Sequence, residues 1–308
     1  MRAIDCKSVS KSYGKVKALD NVSFEVDKGE LFGIIGPDGA GKTTLFRILT
    51  TLILADSGKA TVDGYDIVLD YKQIRRCAGY MPGRFSLYQD LSVEENLTFF
   101  AAVFGATVKE NYALIEDIYK QIEPFKHRRA GKLSGGMKQK LALSCALVHK
   151  PTVLFLDEPT TGVDPVSRKE FWEMLKRLKQ QGVTILVSTP YMDEATLCDR
   201  IALIRNGKFL TIDTPQEIVN RFSETLWAVS ADKMSKLYAD LQHIPAIKSC
   251  FAFGSTHHIT VDDNMLTISE LKSHLEGLSH TNIEIIPIEA TIEDCFFQLT
   301  MDNSMNNE

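Results

Sequence analysis

The chain has 308 residues, 44% of them hydrophobic, enough to build a large core and more than one compact unit. A formal net charge of −5 leaves no basic excess to neutralise a run of phosphates, so nucleic acid is not an expected partner. Six scattered cysteines without a CxxC pair fit reduced thiols, and Met1 to Asp5 has no apolar signal core; the longest apolar run, Leu97 to Ala106, is about half the ~20 residues that span a bilayer, so a soluble, cytoplasmic chain is expected.

In chain order, Val9 to Gly14 precedes a strand-like stretch from Ala18 to Val26. Leu31 to Ile35 reads as a short buried strand, followed by Gly36-Pro37-Asp38-Gly39-Ala40-Gly41-Lys42-Thr43-Thr44 and a helical pattern at Leu45, Ile48, Leu49 and Leu52. Strand, Gly-rich loop and helix stand in the order that G-x-x-x-x-G-K-[ST] requires. The glycines let backbone N–H groups curl around a phosphate, Lys42 supplies a point charge, and the Thr43 hydroxyl is a ligand for Mg²⁺. Asp38 suits such a loop only if it faces away from the phosphates.

Ser92-Val93-Glu94-Glu95 reads as a capping box ahead of Leu97, Phe99, Phe100 and Val103, and helical character continues from Lys109 to Glu123. Leu133-Ser134-Gly135-Gly136-Met137 then opens a helix with apolar residues at Leu141, Ala142, Cys145 and Ala146; Ser134 suits its N-cap, and the glycines leave N–H groups open to an anion. Thr152 to Leu156 is apolar on both faces, as a central parallel strand should be, and ends in Asp157 and Glu158. At such a strand tip beside a phosphate loop, Asp157 would hold Mg²⁺ through water and Glu158 would polarise an attacking water as general base. Asp164 and Pro165 suit the N-cap and first position of the next helix.

The phosphate loop, the Leu133 to Met137 element and the acidic strand tip, in this order, resemble the nucleotide-binding subunits of ABC transporters from Ala3 to about Phe222. The resemblance implies an α/β fold: a P-loop ABC ATPase core, residues 1–222, with a mixed sheet and a helical subdomain near 89–150. It implies ATP and Mg²⁺ as ligands, with Tyr13 stacking on adenine, Thr44 as a further phosphate contact and Thr160 to Pro165 as the loop that crosses between subunits. Ser134, Gly135 and Gly136 would press on the γ-phosphate held by another subunit, giving a head-to-tail dimer, homo- or heteromeric, with two ATP molecules at its interface. Arg84 to Leu91 resembles the surface that receives transmembrane permease subunits, although Phe85 and Tyr88 suit a local core equally well. The chain would then lie on the inner face of the cell membrane.

Two positions depart from the family. Gly83 stands where a glutamine usually approaches Mg²⁺ and the attacking water, and Pro190 where a histidine usually contacts the γ-phosphate; Pro190 has neither a side-chain donor nor an N–H. Two readings follow: an exporter ATPase with weakened hydrolysis, or a largely non-hydrolysing subunit that completes a partner's site. An ABC protein of translation or DNA repair would carry two cassettes or a long coiled-coil insert, and the sequence has neither.

A second unit, 223–308, is expected as a small α+β domain of the split βαβ, ferredoxin-like kind: strand 226–230, helix 233–241, strands 247–253 and 258–261, helix 268–278, strand 283–287 and helix 292–299. His257-His258 reads as a strand start, having no third metal ligand nearby in sequence. Glu289 to Thr300 resembles the tail of ATPases serving drug, antibiotic or polysaccharide exporters. The polar end, 301–308, is expected to fray.

Overall fold

The computed structural model describes residues 1–262 and 265–305, the last four of these as helical backbone alone. Two compact units divide the chain, Met1–Pro215 and Gln216–Glu308.

The first unit runs β1 (Arg2–Tyr13), β2 (Val16–Asp27), β3 (Leu31–Ile35), α1 (Lys42–Leu49), β4 (Ser57–Val62), β5 (Tyr65–Asp66), α2 (Tyr71–Cys77), β6 (Ala78–Met81), α3 (Val93–Val103) and α4 (Tyr112–Tyr119). It continues with α5 (Gly135–Leu147), β7 (Val153–Asp157), α6 (Pro165–Gln180), β8 (Thr184–Thr189), β9 (Arg200–Arg205) and β10 (Lys208–Asp213). One sheet, in the order β2-β1-β4-β5, is antiparallel throughout. The other has the order β10-β9-β3-β8-β7-β6, parallel except for β10.

Every residue of β3, β7 and β8 is buried, which explains the apolar runs Leu31–Ile35 and Val153–Leu156 and leaves Asp157, Thr184, Ser188 and Thr189 as buried polar residues. Phe155 on β7 meets Phe46 of α1 edge to face, with ring centroids 6.2 Å apart, and so fixes the helix after the Gly-rich loop against the central strand. Register does the rest: Ile35 pairs with Thr189, and Asp157 with Ser188. The ends of β3, β7 and β8 therefore share one edge of the sheet, where parallel α/β folds place their ligands.

The helical insert is anchored by the expected capping box, with Ser92 accepting from Glu95 N at 3.2 Å and Glu95 from Ser92 N at 2.7 Å. Helical character after α4 gives way to a single 3₁₀ turn at Glu123–Phe125, because Pro124 has no N–H to continue an α-helix.

In the second unit, α7 (Pro215–Asn220) leads to β11 (Thr225–Ser230), α8 (Met234–Leu241), β12 (Ile247–Phe253), β13 (Thr256–Val261), α9 (Ile268–Gly277), β14 (Glu284–Pro287) and α10 (Ile292–Met305). The sheet is antiparallel in the order β12-β13-β11-β14. Trp227, Val229 and Ile259 form one core with Leu237 and Leu241 of α8 and Leu271 and Leu275 of α9. Strand alternation sends the paired histidines to different partners: His257 Nε2 lies 2.8 Å from Met234 O, and His258 Nδ1 lies 2.7 Å from Asp294 Oδ1. The helix expected to end at Leu299 extends to Met305, so residues 301 to 305 are helical rather than frayed. Thr291 and Asp294 cap its start reciprocally, and each further residue then adds one hydrogen bond. Residues 306–308 lie outside the described residues.

Candidate functional site

The Gly-rich loop leaves β3 and enters α1 through Gly41, whose φ of 107° is left-handed and whose missing Cβ would stand 2.3 Å from Ala18 O. Only glycine fits there. Lys42 is 3% exposed, and its Nζ donates to Gly36 O at 2.7 Å and Pro37 O at 3.0 Å while pairing with Glu158 Oε1 at 3.1 Å. Asp38, by contrast, is 89% exposed and reaches Lys42 only at 4.0 Å, so its charge faces mostly water. Gly36 N donates to Thr189 O at 3.2 Å, tying the loop to the end of β8.

Asp157 is buried at the tip of β7, where burial pushes its carboxyl above the usual range and hydrogen bonds from the Ser188 and Thr43 hydroxyls pull it back. Ser188 Oγ donates to Asp157 Oδ1 at 2.8 Å and also accepts from Glu158 N at 3.0 Å. Glu158 itself has a φ of 51°, a left-handed conformation that costs a non-glycine residue on the order of 1–3 kcal/mol. Its N–H bonds to Ser188 O and Oγ hold that turn, which delivers the carboxylate to Lys42.

The two atypical positions lie at this same edge. A Cβ on Gly83 would stand 3.0 Å from Asp157 O and 3.7 Å from Glu158 Cβ. Pro190 directly follows Thr189, the residue that receives Gly36 N.

The structure thus brings together the loop from Gly36 to Thr44, Asp157 and Glu158. Among the described residues, no hydrogen bond joins Ser134, Gly135 or Gly136 to Lys42, Asp157 or Glu158. Ser134 caps α5, accepting from Met137 N at 3.4 Å, and both Ser134 and Gly135 are exposed. Gly136 is buried against α6, its missing Cβ 2.6 Å from Ser167 Oγ. Tyr13, at the end of β1, keeps 49% of its surface open, and Lys11 Nζ stands 5.9 Å from its ring centroid.

An apolar groove of about 440 Å³ opens beside the helical insert, lined in part by Met81, Leu87, Phe100, Phe104, Ala142 and His149. His149 stacks on Phe104 at 3.8 Å, and burial holds its imidazole below the usual range, so the ring is neutral at pH 7. Phe85 is half-buried with Lys138 Nζ 5.5 Å from its ring centroid, whereas Tyr88 is 51% exposed and meets Phe99 edge to face.

Residues 19–161 match the family model described as ABC transporter. The chain is 37% identical over 321 residues to the doxorubicin resistance ATP-binding protein DrrA of Mycobacterium tuberculosis, an alignment covering 97% of this chain and 94% of that protein. The chain belongs to the ABC transporter family. It is also 43% identical over 220 residues to the probable multidrug ABC transporter ATP-binding protein YbhF of Escherichia coli; that match spans 70% of this chain but 38% of the relative's length. Among solved structures, the dimeric post-hydrolysis state of the ATP-binding cassette MJ0796 bound to ADP and Pi superposes with a TM-score of 0.62 at 26% identity, covering 68% of this chain and 98% of that one.

Within this ABC cassette, sequence reasoning overlooked Ser188 and Glu194. Ser188 follows apolar residues in β8 and pairs in register with Asp157, so a polar residue near the end of a buried strand was its signal. Glu194 is 2% exposed although its neighbours Asp193 and Thr196 are exposed, a difference that no periodicity announces.

Proposed function

We propose that the chain is the ATP-binding and hydrolysing subunit of an exporter, working as one of two cassettes beneath transmembrane permease subunits. The observation that carries this reading is the convergence of Lys42, Asp157 and Glu158 on one sheet edge, together with an α5 N-terminal end that is left exposed. As in the ABC cassettes this chain resembles, that exposed helix end would complete the site of a second subunit. The dimeric relative bound to ADP and Pi supports that assembly.

Lys42 would exchange Glu158 and the loop carbonyls for phosphate oxygens of ATP, and the loop's N–H groups would surround the phosphates. Tyr13 presents an open aromatic face for adenine. Thr43 and Asp157 offer the hard oxygen donors that Mg²⁺ prefers, and Asp157 is a buried carboxylate that takes hydrogen bonds from the Ser188 and Thr43 hydroxyls near Lys42, so the residues fit the ion. Mg²⁺, when bound, neutralises charge on the phosphates. Glu158, released from Lys42, accepts a proton from the attacking water as ADP and phosphate form. Gly83 and Pro190 supply neither of the usual side-chain contacts, so turnover is slow rather than absent.

The groove beside α3 and α5 receives the permease, which would hold the chain at the inner face of the membrane. No helix among the described residues is long and apolar enough to cross a membrane itself. Steady-state ATP turnover of the full chain and its Glu158→Gln variant tests the reading. Loss of turnover with ATP binding retained supports it; brisk hydrolysis that survives the substitution would sink it.

A further inference from the structure

Glu194 is 2% exposed, on the 3₁₀ turn Met192–Leu197 that follows β8. Thr160 Oγ1 lies 2.8 Å from its Oε1 and 3.1 Å from its Oε2, and Thr189 Oγ1 donates to Oε2 at 2.5 Å. Arg168 Nε, from the first turn of α6, completes the cage at 3.3 Å from Oε1. Arg168 also pairs with Asp193 at 3.0 Å and lies 4.4 Å from the Tyr191 ring centroid. One buried carboxylate thus fastens together three separate segments of chain.

Two of these segments reach the nucleotide edge. Thr160 lies two residues after Glu158, in a turn closed by Thr161 N donating to Glu158 O at 3.3 Å. Thr189 O receives Gly36 N of the phosphate loop, and Thr189 Oγ1 receives Tyr191 N at 3.1 Å, across Pro190. Pro190 offers neither a side-chain donor nor an N–H to hold this segment. Ser188 ties the start of the Glu158 turn to β8, and the groups around Glu194 tie the rest of that turn, through Thr160, to the Thr189 to Tyr191 segment.

Burying a carboxylate is costly, and apolar packing of the same volume often serves stability as well or better. What apolar residues cannot do is set hydroxyl directions and fix the distance between two loops. We infer that Glu194 is a positioning residue for ATP hydrolysis: through Thr160 and Thr189 it locks the general base to the phosphate loop. This rests on the ATPase reading above.

The test compares the full chain with Glu194→Gln, Thr160→Val and Thr160→Ser, with Glu158→Gln as the hydrolysis-dead reference. An amide at position 194 cannot accept from Arg168 and both hydroxyls together, so kcat should fall about 10- to 100-fold, the scale of a small misplacement of reacting groups. The KM for ATP should stay within about threefold, because the phosphate contacts of Lys42 are untouched. Thr160→Val, nearly isosteric and lacking only the hydroxyl, should lower kcat about 3- to 10-fold, as loss of one hydrogen bond to a charged group predicts. Thr160→Ser should restore it. If Glu194→Gln does not fold, the Thr160 pair decides alone. Wild-type kcat in Thr160→Val, a Thr160→Ser variant as slow as Thr160→Val, or a rise in KM matching the fall in kcat/KM would overturn the inference. A wild-type chain no faster than Glu158→Gln would overturn the ATPase reading itself.

Discussion

Ser188→Ala is the most economical probe of the acidic strand tip. The hydroxyl donates to Asp157 Oδ1 at 2.8 Å and accepts from Glu158 N at 3.0 Å, so its loss strips a donor from a buried carboxylate. A hydrogen bond to a charged, buried group contributes about 2–3 kcal/mol, which for a unit of this size corresponds to about 4–12 °C in Tm. The pH dependence has a definite sign. Burial raises the Asp157 carboxyl above its ordinary value of 3.8, so the folded protein binds more protons than the unfolded chain between 3.8 and that raised value, and stability declines as pH rises through the window. Removing Ser188 raises the folded value further and widens the window. The variant should therefore lose much more stability at pH 7 than at pH 4. Thermal melts followed by Trp172 fluorescence in a Trp227→Phe background report on the first unit, since the chain has two tryptophans. Equal losses at both pH values would refute the account of Asp157 as a buried carboxylate that Ser188 stabilises in its charged form.

Three further perturbations check other parts of the structure. Lys42→Ala leaves Glu158 without its partner at 3.1 Å and should weaken ATP binding at least about tenfold by equilibrium titration, the scale of one charge-assisted contact. Pro190→His, which restores a donor beside the phosphate loop, should raise steady-state ATP turnover at least about tenfold, toward the lower range measured for positioned donors. Asn96 is fully buried and bonds Tyr88 N and O, Leu91 O and Ser92 O; Asn96→Ala should cost about 3 kcal/mol in denaturant unfolding and weaken co-purification with the permease by loosening the Tyr88 to Leu91 segment.

The elements that build the nucleotide edge were legible because their physics is local. β3 and β7 are buried on both faces and so appear as continuous apolar runs, and the loops after them must carry the residue types that hold phosphate. The antiparallel sheet was not legible to the same degree. β1 is interrupted by register shifts between Cys6 and Val9, where Ser8 adopts a left-handed φ of 53°, and β4 begins with exposed Ser57, Gly58 and Lys59. Neither strand alternates cleanly enough to announce itself. The left-handed backbone of Glu158 and the burial of Glu194 are properties of the tertiary neighbours, above all Ser188, Thr160 and Thr189.

On the proposed function, the ion pair between Lys42 and Glu158 would make loading and arming a single event. While the ammonium holds the carboxylate at 3.1 Å, the proposed base would be parked and turned from any stray water. An incoming triphosphate would compete for that same ammonium, and only by taking it would the fuel set free the group that consumes it.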